Sequence, residues 1–119
     1  MLNWPPSVRI WLATRATDLR KSFDTLAEVV RQQLQADPFS GHLFVFRNRR
    51  ADRVKLLYWD EDGFVLVYKR LEWGSFRFPP AVAEGVEIRA ADLHLLLDGI
   101  DVESVRRQRR YRRPPSTPA

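Results

Sequence analysis

No cysteine occurs in the 119 residues, which excludes disulfides, thiolate metal sites and cysteine nucleophiles and fits a cytoplasmic protein. Histidine is nearly as scarce. His42 and His94 stand alone, without an H-x-x-E or H-x-x-x-H partner, and this argues against zinc. The chain has no G-x-S-x-G elbow, no Walker A loop and no dinucleotide fingerprint. It therefore offers no catalytic constellation and implies no cofactor. Long apolar runs are missing as well. Stretches such as Val65 to Tyr68 and Leu95 to Leu97 are far too short to cross a bilayer. The opening MLNWPPSVRIW lacks a basic leader followed by an apolar run, so no signal peptide is expected.

What is present suits one folded domain with a modest core. The apolar content is 45%, and 14 of the residues are Phe, Trp or Tyr, enough to pack a small sheet. The net charge of +5 is unevenly placed. Arg106, Arg107, Arg109, Arg110, Arg112 and Arg113 lie in residues 104–119, which hold no acid. Removing those six from 20 basic residues leaves 14 against 15 acidic residues in 1–103. The sequence pI of 10.2 thus belongs largely to a tail. That tail has little to bury and ends in proline, serine and threonine, so 1–103 is expected to fold and 104–119 to be disordered.

Period-two alternation predicts a strand over Val8 to Thr14, entered after Pro5-Pro6. Phe23, Leu26, Ala27, Val30 and Leu34 recur at helical spacing, predicting a helix from Ser22 to Leu34 with Ser22 as its N-cap. Asp37-Pro38 stops it. Strands follow over His42 to Asn48, Arg53 to Asp60 and Phe64 to Leu71. For the second turn, an Asp62-Gly63 loop would set Trp59 against Leu66, and a longer loop would set Trp59 against Phe64. Either choice puts Lys55, Leu57, Trp59, Phe64, Leu66 and Tyr68 on one face, and Val54, Leu56, Tyr58, Val65, Val67 and Lys69 on the other. Both faces ask for cover, and one helix cannot serve both. Ala91 to Leu97 reads as a short second helix, and Val86 to Arg89 as an edge strand. The fold class is α+β: a mainly antiparallel sheet of four to five strands on one long helix, plus a short C-terminal helix.

The turns of this meander sort charge by sign. Arg47, Arg49, Arg50 and Arg53 crowd the first, while Asp60, Glu61 and Asp62 fill the second. Lys55, Lys69 and Arg70 come from strands that begin or end beside the first turn. Seven cations at one sheet margin suit phosphate contacts, with Arg20 and Lys21 as further candidates. A solvated turn has the same composition. The six tail arginines are a second phosphate-binding candidate, without base specificity, or else a solubilising or protein-binding tail. The carboxylates of Asp60, Glu61 and Asp62 read as a hairpin turn rather than a metal site. A metal-dependent nuclease built on Asp18, Asp24 or Asp60 is the weakest reading. Trp59, Phe64, Tyr68, Trp73, Phe76 and Phe78 could stack bases but at strand spacing read as core, with Trp73 beside Gly74 the candidate for exposure.

One family shares this wording. Asp18-Leu19-Arg20-Lys21, Phe23-Asp24 and Leu26 are followed by Asp37-Pro38-Phe39-Ser40-Gly41 and Phe44-Val45-Phe46-Arg47-Asn48-Arg49. Lys55-Leu56-Leu57-Tyr58-Trp59-Asp60, Gly63-Phe64, Lys69-Arg70-Leu71, Gly74 and Phe76 complete the set. Over residues 8 to 101 the chain resembles the TnpB accessory proteins, second open reading frame of the insertion sequence 66 family of bacterial transposable elements. It departs from their usual wording at Val67, where Trp is frequent, and at Trp73, where a charged residue is usual. The resemblance implies a short, non-catalytic protein that assists a separate transposase, and it carries over no catalytic residues. The expected partners are DNA at the element ends and that transposase, with no membrane involved. Binding to the transposase without direct DNA contact is the alternative.

Overall fold

The first strand and the helix after it decide how the sheet is laid out. In the computed structural model, which describes residues 5–80 and 83–98, β1 (Ile10–Ala13), α1 (Phe23–Gln32) and β2 (Leu43–Arg47) form a strand–helix–strand unit. β1 and β2 run parallel, with Ile10 opposite Leu43 and Leu12 opposite Val45. Parallel neighbours need a crossover connection, and α1 provides it. β3 (Arg53–Asp60) and β4 (Gly63–Arg70) continue from β2 as an antiparallel meander. β5 (Gly85–Ile88) returns to pair antiparallel with β1. The order is β4-β3-β2-β1-β5. The sheet is mainly antiparallel, as expected, but not purely so: the β1–β2 pair is parallel, because the crossover brings β2 back in the direction of β1.

α1 buries Leu26, Ala27, Val29 and Val30 along one stripe. Ser22 caps it with extended backbone, and its N–H donates to Thr25 Oγ1 at 2.9 Å. The helix ends before the expected Leu34. Gln35 turns left-handed (φ 52°), and the N–H groups of Leu34 and Ala36 return to the Val29 and Val30 carbonyls. This satisfies carbonyls that a helix end leaves open.

The two sheet faces fall as the alternation predicts, and each has its own cover. On one face Leu26, Val29 and Val30 of α1 pack with Phe44, Phe46 and Leu57. On the other, Leu93, Leu96 and Leu97 of α2 (Ala90–Leu97), with Phe76, cover Ile10, Leu12, Leu43, Val45, Val54 and Leu56. The result is three layers instead of a sheet resting on one helix. Each fully buried leucine stabilises such a core by about 1.5–3 kcal/mol before entropy is counted. In the β3–β4 hairpin, Trp59 faces Phe64 and Asp60 faces Gly63, so Glu61 and Asp62 make the turn. Glu61 takes the left-handed φ of 55°, and Gly63 is a strand residue. The tail expected to be disordered, with Arg106, Arg107, Arg109, Arg110, Arg112 and Arg113, lies outside the described residues.

Candidate nucleic-acid interface

β3 begins and β4 ends at the same end of the sheet, where Arg53 stands opposite Arg70 and Val54 opposite Lys69. The turn from β2 to β3 occupies that end. Asn48 organises it. Its side-chain oxygen accepts the Arg53 N–H at 3.0 Å, and its amide donates to Asp52 Oδ1 at 2.6 Å. The latter bond is the main reason the Asp52 carboxyl is held below its usual pKa. Ala51 adopts a left-handed φ of 56° and donates its N–H to the Asn48 carbonyl at 3.1 Å. From the segment after β4, Leu71 N–H donates to the Asp52 carbonyl at 2.8 Å and Phe76 N–H to the Ala51 carbonyl at 2.6 Å. Arg49 and Arg50 are exposed at the tip, with no hydrogen bond or ion pair among the described residues.

Other cations of the turn end are engaged inside the molecule. Arg47 Nε and Nη2 donate to the Thr14 carbonyl at 3.1 and 2.6 Å, and Nη1 to the Asn48 carbonyl at 3.3 Å. The same guanidinium lies 5.7 Å from the Phe78 ring centre. Burial lowers its pKa from the usual value. Lys55 is 7% exposed. Its Nζ donates to the Lys21 carbonyl at 2.8 Å and sits 4.9 Å from the Tyr68 ring centre. Lys69 Nζ donates to the Leu97 carbonyl at 2.8 Å, satisfying the C-terminal end of α2 with a cation.

The remaining two are exposed and loosely held. Arg53 Nη1 donates to Tyr68 Oη at 3.2 Å, the first cause of its raised pKa. Arg70 Nε donates to Glu72 Oε2 at 2.9 Å in an exposed ion pair, an arrangement that contributes little. Strand alternation also divides the group. Arg47 and Lys69 share the α2 face, while Arg53, Lys55 and Arg70 share the α1 face. The seven cations meet at one end of the sheet but not on one margin. Arg49, Arg50, Arg53 and Arg70 are the ones left facing solvent.

Arg20 is bound at 2.8 Å to Asp18, whose carboxyl that bond holds down to about 2. Lys21 contributes its carbonyl to Lys55. At the opposite end of the sheet lie Asp60, Glu61 and Asp62. Among the described residues no group of three or more His, Asp or Glu is placed to hold a metal ion.

Of the aromatics, Phe76 is buried and Phe78 lies against Arg47. Trp59 and Phe64 join Phe39 in a triad with ring centres 5.0–5.2 Å apart. Phe39 was not among the aromatics singled out from the sequence. Its place between Pro38 and Ser40-Gly41 reads as a turn, and the aromatic ring within that turn was the available signal. Trp73 is 91% exposed.

A family model described as IS66 Orf2 like protein matches residues 8–107. The match runs past the end of the expected resemblance and takes in Arg106 and Arg107. The chain is 39% identical over 108 residues to the uncharacterized protein y4jC of Sinorhizobium fredii (strain NBRC 101917 / NGR234), covering 91% of this chain and 92% of that one. It is 42% identical over 101 residues to the uncharacterized protein y4hO of the same organism, covering 85% and 88%. No solved structure matches the chain. No helix among the described residues is long and apolar enough to cross a membrane.

Proposed function

The chain belongs to the IS66 Orf2-like family of transposition-associated accessory proteins, and from that premise we propose that it holds DNA of the element for the transposase. The contact is made through phosphates. Arg49 and Arg50 at the β2–β3 turn touch the backbone, with Arg53 beside them on the α1 face. The six arginines from 106 to 113 add affinity. Guanidinium groups suit phosphate oxygens because they donate two parallel hydrogen bonds. Such contacts position a duplex without reading its bases.

The observation that carries this reading is the exposed pair Arg49 and Arg50 at the tip of a well-bonded turn, neither of which makes a hydrogen bond or ion pair among the described residues, Arg50 acting on the Asp52 carboxyl only through its charge. Cations that serve folding find carbonyls or carboxylates, as Arg47, Lys55 and Lys69 do. The test is a gel-shift titration of the full chain with duplex DNA from the element ends, repeated over a salt series. Binding that weakens steeply with salt is expected. A salt-independent complex, or none, overturns the reading.

A second reading rests on Trp73, nearly fully exposed in the segment after β4. Large exposed aromatics favour protein contacts, and the partner would be the transposase. Co-purification that withstands high salt and is lost in Trp73→Ala would favour it.

A further inference from the structure

The acidic turn between β3 and β4 has no part in the phosphate contacts, and it lies at one end of a sheet edge that no other strand of the described residues pairs with. β4 is eight residues long and is the outermost strand among the described residues. Its register with β3 is unbroken from Gly63 to Arg70, without a bulge or a proline. Phe64, Val65, Leu66 and Val67 are each half-buried, whereas Leu56 and Leu57 beside them on β3 are buried. Edge strands are normally blunted by bulges, prolines or inward-pointing charges. Lys69, the charge that β4 places on the α2 face, has its ammonium turned to the Leu97 carbonyl.

We propose that β4 pairs antiparallel with β4 of a second copy of this chain, joining two five-stranded sheets into one continuous sheet. The backbone is set for it. Leu71 N–H bonds the Asp52 carbonyl across the β3–β4 pair, so the odd residues of β4 turn their backbone groups toward β3. Phe64, Leu66, Tyr68 and Arg70 turn theirs outward. A two-fold axis normal to the sheet keeps each face on its own side and lets these even residues pair with one another.

Charge fixes the register. β4 follows the turn residues Glu61-Asp62 and ends at Lys69-Arg70, so an antiparallel copy brings each acidic turn to the other's basic end. Centred on Leu66, Asp62 faces Arg70 of the second copy, and Phe64 faces its Tyr68. Centred on Val67 instead, Asp62 would face Glu72, a like charge, and Phe64 would face Arg70. Centred on Val65, only Gly63 to Val67 would pair with β4 of the second copy, and Tyr68, Lys69 and Arg70 would run past its start to lie against Asp62, Glu61 and Asp60. The Leu66 register also gives the half-exposed Tyr68 ring, 51% exposed, an aromatic neighbour in the Phe39–Trp59–Phe64 triad. The two basic ends then lie eight residues apart along the joined strands, about 27 Å.

The test uses the full chain without DNA. Sedimentation over a concentration series is expected to show a species of twice the 14.0 kDa of one chain. Because the sequence has no cysteine, Leu66→Cys supplies a single thiol at the two-fold axis, and air oxidation is expected to cross-link it to its counterpart. Arg70→Asp turns two attractive contacts into repulsive ones and weakens dimerisation by about tenfold. Adding Asp62→Arg to the same chain restores it. Asp62 and Arg70 are exposed, so folding is not in question for the charge reversals. A monomer at all concentrations overturns the proposal. So does a dimer that cross-links through Trp73→Cys and not Leu66→Cys, or one indifferent to both charge reversals.

Discussion

Replacing Arg47 by alanine separates a folding role from a binding role, because the sequence alone assigns this arginine to DNA. Its guanidinium makes two hydrogen bonds to the carbonyl of Thr14, a residue 1% exposed, and stacks near Phe78. The Arg47 main chain also accepts the Thr17 N–H at 2.8 Å, so both parts of the residue tie the β1–α1 connection to β2. Loss of a partner for a buried carbonyl costs about 1–3 kcal/mol, and loss of a cation–π contact at a partly exposed site about 0.5 kcal/mol. Taking the lower half of that range for a half-buried side chain gives about 2 kcal/mol. For a domain of this size that is a fall in Tm of roughly 8–16 °C. Arg47→Lys keeps the charge but cannot span the Thr14 and Asn48 carbonyls together, so it should recover little of the stability. Thermal denaturation followed by circular dichroism reads the stability. Gel shifts at a temperature where each variant is folded read the affinity. Full stability in Arg47→Ala, together with a loss of DNA affinity matching that of an Arg49 or Arg50 variant, would refute the assignment.

Other outcomes follow from the same geometry. Arg49→Ala combined with Arg50→Ala should leave the Tm almost unchanged and reduce the slope of log K against log salt by about 2 on duplex DNA, measured by the same titration. For Asp18, the Arg20 bond depresses the folded-state pKa to about 2 from 3.8. Its contribution is therefore present above pH 4 and lost as pH falls toward 2. Asp18→Asn should flatten the acid limb of a stability-versus-pH curve in that window, modestly, since the pair is exposed. Trp73→Ala should alter urea stability by less than about 0.5 kcal/mol, because the side chain has almost nothing to lose, and should reduce transposase recovery if the second reading holds.

Local pattern carried most of the architecture. β3 matches its expected bounds, and the two faces of the β3–β4 hairpin follow from alternation alone. Leu93, Leu96 and Leu97 cover the second face, a need that Val54, Leu56 and Val67 had already made plain. Non-local pairing was the part that stayed hidden. Nothing within Val8 to Thr14 states that β1 lies parallel to β2 or that β5 returns to its other side, since those choices depend on the crossover and on late burial. Which cations turn inward was hidden for a related reason. Arginine and lysine look alike in a sequence whether their donors meet water or a carbonyl. Lys55 did carry a signal, because it alternates with Leu57 and Trp59 on a face that α1 covers. A lysine there must find an acceptor as the fold closes, and Lys21 provides it. Arg49 and Arg50 escape this fate because the turn lifts them clear of both faces.

The way that turn is tied down has a thermodynamic consequence. Asn48 bonds it from within, and Leu71 and Phe76 grip its outer carbonyls from a separate stretch of chain. The main chain beneath Arg49 and Arg50 is thus anchored on both sides, so an arriving polyanion should restrict chiefly side-chain rotamers. Association there should carry a small entropic penalty and fast kinetics, and the bonded amides of Asn48, Ala51 and Arg53 should exchange slowly with or without nucleic acid.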